Sequence, residues 1–86
     1  MGTYANGIQA AIVSQIRAEI AAIGWGQAEL AEKSGVPTST LSRYLSRTAP
    51  RDIPLPAFAA IAEALSMSVV ELSARAERRL QGQDVR

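Results

Sequence analysis

An all-α protein, a compact bundle of five helices, is the fold class this 86-residue sequence predicts. Three observations predict it. Apolar residues recur at three- and four-residue spacing, the breaks between those runs carry the glycine, proline and hydroxyl residues of helix ends, and no stretch alternates with the period of two that a strand needs. A hydrophobic share of 48% with 20% charged residues is globular composition, and the length suits one domain spanning residues 1–86 with a core from about 7 to 80.

Helix one rests on Ile8, Ile12, Ile16, Ile20 and Ile23, whose spacings of four, four, four and three gather them on one stripe of a 3.6-residue helix. Asn6 with Gln9 supplies a capping-box start, and Gly24 a left-handed stop. Helix two follows from Gly26, its cap, to Ser34. Trp25 and Leu30 have hydrophobic-staple spacing, Glu29 favours the first turn, and Gly35 with Val36 ends the helix as a Schellman stop.

The next segment, Pro37 to about Ser46, has only Leu41, Tyr44 and Leu45 as large apolar groups, at helical spacing. Its other residues are almost all hydroxyl or arginine. A core helix would be richer in apolar groups and a solvating one would carry Glu and Lys, so the Ser and Thr residues, mediocre helix formers, need another reason. Pro50, Pro54 and Pro56 mark a loop, after which Leu55, Phe58, Ile61, Ala62 and Leu65 give helix four. Helix five starts at a Ser68–Glu71 capping box with a Met67–Leu72 staple and runs to about Leu80, before Gly82.

Histidine and cysteine are both absent, which removes the commonest general base, the thiolate nucleophile, disulfides and the usual zinc ligands together. Asp and Glu are scattered, with neither a phosphate-binding glycine loop nor a nucleophile–base pair, so the chain reads as no enzyme and no metal, cofactor or small-molecule ligand is expected. No segment reaches the roughly 20 apolar residues of a membrane span, and the N-terminus lacks a signal-peptide pattern. Gly2 does not make a myristoylation motif, because Asn6 stands where Ser or Thr is needed. A cytoplasmic location in a bacterial or phage-infected cell is the expectation.

The net charge is only +1, yet Lys33, Arg43, Arg47 and Arg51 follow one another with no acid between them until Asp52. Two short helices joined by a glycine turn, the second polar and basic, form a helix-turn-helix pattern over about residues 27–46. Ala31 suits the helix crossing, where a larger side chain would push the helices apart, and Gly35 suits the positive φ of the corner. The Arg75, Arg78 and Arg79 cluster, interrupted by Glu77, reads as a solvated face.

The residues quoted also carry a resemblance. From about Ile8 to Leu72 the chain resembles the lambda-repressor-like (Cro-like, XRE) DNA-binding family, through Gln27, Leu30, Ala31, Gly35, Val36, Leu41 and Tyr44, then the runs Phe58 to Leu65 and Ser68 to Leu72. Three positions depart from the family pattern: Ser66 in place of a glycine, Gly26 in place of a hydroxyl cap, and Pro37 at the start of helix three, where either Pro37 or Thr38 is the cap. If residue 66 is left-handed, serine costs about 1 kcal/mol there.

The resemblance implies that helix three enters the major groove of a double-stranded DNA operator with its N-terminal end toward the bases. It puts Thr38, Ser39 and Arg43 at the base edges, Arg43 through the match of its planar fork to guanine O6 and N7. Backbone or supporting roles fall to Gln27, Pro37, Thr40, Ser42, Ser46, Arg47 and Arg51. The hydroxyls suit phosphates and thymine methyls equally.

A repressor of phage or prophage immunity type, acting by operator occupancy, is the implied function. The second reading is an antitoxin-like protein-interaction module built on the same bundle. Homodimers are common in the family, and Val69, Val70, Ala76 and Leu80 serve either as a dimer seam or as the closing edge of the monomer core.

Overall fold

The computed structural model describes the backbone of residues 2–48 and 51–84 and the side chains of 7–48 and 51–82. Five helices follow in order: α1 (Gly2–Ala22), α2 (Gln27–Ser34), α3 (Thr38–Tyr44), α4 (Leu55–Ala64) and α5 (Val69–Asp84). Strands are absent among the described residues. The fully buried large side chains are Ile16, Leu30, Leu41, Leu45, Ile61 and Leu72, so every helix and the residue capping α3 send a group into one shared core. The Cα radius of gyration is 12.2 Å, close to the roughly 12 Å of a compact chain of this length.

Three helix ends use left-handed residues, each for a different local sequence. At the end of α1, Gly24 (φ 79) donates to Ala21 and the Trp25 amide to the Ile20 carbonyl at 2.8 Å, a full Schellman motif. That turn swings Trp25 onto the core and leaves Ile23, expected on the apolar stripe, 52% exposed. At the end of α2, the Gly35 amide (φ 80) donates to Ala31 at 2.8 Å. The Val36 amide donates to the Ser34 hydroxyl oxygen at 3.2 Å, so this stop is the simpler single-bond left-handed motif and not the expected Schellman one.

At the end of α4, Ser66 itself is left-handed (φ 60), with Ser66 donating to Glu63 and Met67 to Ala62, both at 2.9 Å. A serine therefore holds a Schellman position that glycine occupies without steric cost.

Helix starts also depart from expectation in places. Helix α1 begins at Gly2 and not after an Asn6 cap, and Gln9 donates its side-chain amide to the Arg51 carbonyl at 3.1 Å. The Asn6 side chain lies outside the described residues, as does Pro50. The N-cap of α3 is Pro37, with φ −58 and ψ 144, and the helix is shorter than expected, ending at Tyr44 with Leu45 as its C-cap. Leu55, the first residue of α4 beside Pro54 and Pro56, is 67% exposed, and Ile53 covers the core nearby.

Helix α5 starts as expected, with the Ser68 hydroxyl accepting the Glu71 amide at 3.0 Å. It continues to Asp84 because Gly82 keeps a helical φ and does not break it. Helix α5 lies along α1. Leu80 reaches Gly7, where an added Cβ would sit 3.0 Å from its Cδ1, and Ala76 is fully buried. Val69 packs against the core, which leaves Val70, 77% exposed, as the outward member of the four-residue seam.

Arg78 and Arg79 are exposed, as a solvated face requires, whereas Arg75 is half-buried in polar contacts. Arg75 pairs with Glu19 of α1 at 2.7 Å and with Glu71 at 2.9 Å, while Arg79 donates to Gln15, whose amide in turn donates to Glu19. The Glu19 hydrogen bond and charge push the Arg75 guanidinium above its ordinary value. No single helix among the described residues is long and apolar enough to cross a membrane.

Candidate nucleic-acid interface

Helix α3 has two unlike sides, and that accounts for its composition. Leu41 and Leu45 are fully buried and Tyr44 packs against the same core, whereas Thr38, Ser39, Ser42 and Arg43 are exposed and Thr40 is half-buried. Three apolar groups at three- and four-residue spacing hold the helix down. Its small hydroxyls and one arginine form the outer surface, where nothing within the described chain covers them.

The outer surface is braced from both neighbours. The Ser42 hydroxyl donates to the Gln27 side-chain oxygen at 3.0 Å, tying α3 to the first residue of α2. On the other flank, the Arg51 amide donates to the Arg43 carbonyl at 3.1 Å, and the Arg51 carbonyl accepts from Gln9 of α1 at 3.1 Å. The segment after α3 is thus pinned beside it, which brings the backbones of Arg43 and Arg51 together although they lie eight positions apart in sequence. Ser46 caps a tight local turn, accepting the Thr48 amide at 3.2 Å.

Charge follows the same surface. Arg43, Arg47 and Arg51 are all exposed, and among the described residues none has a carboxylate partner; the ion pairs there belong to Arg75. Lys33, the remaining member of the basic strip, lies exposed on the last turn of α2, where the helix dipole favours a cation. Groups of His, Cys, Asp and Glu able to hold a metal ion are absent among the described residues.

One residue beside this surface escaped the reading of the sequence. Arg17 of α1 donates its Nη2 to the Leu45 carbonyl at the C-terminal end of α3. The signal was present: Arg17 stands between the buried Val13 and Ile20 at helical spacing, so a charged group lies in phase with the apolar stripe.

A family model described as helix-turn-helix matches residues 16–72, more than half of the chain, and spans the last two turns of α1 through the first turn of α5. The chain belongs to the lambda-repressor-like (XRE) helix-turn-helix family. It is accordingly a DNA-binding transcription regulator of that family, with α2 and α3 as its helix-turn-helix and Gly35 at the turn. No curated protein and no solved structure matches the chain.

Proposed function

We propose that the protein is a repressor that acts by occupying a double-stranded DNA operator. The observation that carries this reading is the outer side of α3, a row of hydroxyls and an arginine flanked by cations that have no carboxylate partner among the described residues. Occlusion needs binding alone, whereas activation needs a further contact with polymerase, so repression is the simpler mechanism. A phage or prophage immunity regulator working in the cytoplasm of its host is the setting we favour.

Thr38, Ser39 and Arg43 read base edges in this account, with Arg43 presenting its fork to guanine. Gln27 accepts from Ser42 through its oxygen, which turns the two amide N–H donors to an outside acceptor such as a phosphate. Arg47 and Arg51 clamp the backbone, while Pro37, Thr40, Ser42 and Ser46 support the helix and its flanks. The whole chain, residues 1–86, acts as one domain, and two copies occupy a palindromic site.

Selection of binding sites from random duplex DNA tests the proposal. A recovered motif with two-fold symmetry is expected. Recovery of no motif, together with co-purification of a stoichiometric protein partner, would replace the operator reading with the antitoxin-like one.

A further inference from the structure

A cleft of about 340 Å³ opens between α1 and the segment following α3, lined by Ala10, Val13, Ser14, Arg17, Ser46 and Arg47. Two of the six are arginines, two are serines and none is an acid. The cleft has more than ten times the volume of one water molecule, about 30 Å³, and room for a tetrahedral oxyanion.

Arg17 makes the cleft more than a basic hollow. Its guanidinium is partly buried, one nitrogen is committed to the Leu45 carbonyl, and its Nε is buried with no hydrogen-bond partner among the described residues. No carboxylate among them offsets its charge. A partly desolvated cation without a counter-charge is costly, and an anion arriving in the adjoining cleft removes that cost. Arg75, which also ties α1 to a neighbouring element, has two carboxylates for partners.

We infer that the cleft between α1 and the end of α3 is an oxyanion site that takes a backbone phosphate of bound DNA, with Arg17 and Arg47 as its cations and Ser14 at its rim. DNA is the source of the phosphate because the cleft adjoins the C-terminal end of α3, next to the exposed Arg43, Arg47 and Arg51. The inference rests on the operator reading and extends the footprint from the helix-turn-helix onto α1. Arg17 thereby has two tasks, holding the end of α3 and neutralising a phosphate.

The test compares wild type, Arg17→Gln, Ser14→Glu and Ser14→Gln on one duplex across a salt series. Ser14 is exposed on α1 and clear of the Arg17–Leu45 bond, and Glu and Gln differ there only in charge, so this pair reads the site even if Arg17→Gln fails to fold. Arg17→Gln is expected to flatten the plot of log K against log salt by about one unit. Ser14→Glu should weaken binding about tenfold relative to Ser14→Gln at low salt, since a carboxylate in the cleft competes for the arginines and repels the phosphate.

Equal affinity of the two Ser14 variants overturns the cleft proposal, as does an unchanged slope for folded Arg17→Gln. Wild type binding no duplex overturns the operator reading as well, a different result from wild-type binding with equal Ser14 variants.

Discussion

The Ser42 hydroxyl on α3 donates to the Gln27 side-chain oxygen on α2 at 3.0 Å, joining the two helices of the helix-turn-helix across their outer surface. Both groups lie outside the core, so the bond orients side chains more than it holds the fold. Ser42→Ala frees the Gln27 amide to rotate, and the variant should stay folded while binding DNA roughly three- to tenfold more weakly, the size of one ordinary hydrogen bond. Ser42→Ala added to Gln27→Ala should then cost little more than Gln27→Ala alone. A double-mutant cycle on DNA affinity measures this, and full additivity would show that the two residues act separately.

Ser66 gives a prediction about stability alone. Its left-handed backbone at the end of α4 is exposed and remote from the outer side of α3 in sequence and element order. Ser66→Gly should stabilise the protein by about 1 kcal/mol, which for a domain of this size is roughly 4 to 8 °C in Tm. Thermal unfolding followed by circular dichroism checks it, and DNA affinity should not change.

Much of the fold was legible because each helix carries its own punctuation. The isoleucine stripe, the Gly24 and Gly35 stops, and the Ser68 cap are local signals whose physics does not depend on the rest of the chain. Misreadings arose where tertiary context decides. Ile23 and Leu55 fit the apolar period but fall at helix ends, where the chain turns away and Trp25 and Ile53 cover the core instead. The ties of Arg75 and Arg79 to α1 are hidden from the sequence because Glu19 and Gln15 lie more than fifty residues away.

The candidate interface divides the same way. Exposure of Thr38, Ser39, Ser42 and Arg43 follows from the phase of Leu41, Tyr44 and Leu45, which a reader of the sequence can mark. The bonds from Gln9 to Arg51 and from Arg17 to Leu45 join α1 to the C-terminal end of α3 and the segment after it, and only the packed bundle brings them together.

Trp25 offers a spectroscopic check on the packing of the α1–α2 corner. It is half-buried against the core that includes Leu30. Native fluorescence should peak to the blue of free tryptophan and move red on unfolding, in step with the loss of helical circular dichroism. A native emission maximum equal to that of free tryptophan would contradict the corner as described.

Binding should depend steeply on salt. With Arg43, Arg47 and Arg51 free of carboxylate partners among the described residues, their charge is available to phosphates, each contributing a slope of about −0.9 in log K against log salt. Arg51→Ala should lower the slope by about one unit per site and weaken cognate and scrambled duplexes alike. Salt-independent affinity would contradict phosphate neutralisation as the driving force.

The proposed reading of sequence by the outer side of α3 through Arg43 is decided by the affinity of Arg43→Ala for cognate and scrambled duplexes, with folding confirmed by circular dichroism. Arg43 is exposed and off the apolar side of its helix, so the fold should survive. A loss of about 1 to 3 kcal/mol is expected on the cognate site, with a much smaller loss on scrambled DNA and relaxed preference at one base position per half-site. Equal losses on both duplexes would contradict it, making Arg43 a backbone clamp and leaving base recognition to Thr38 and Ser39.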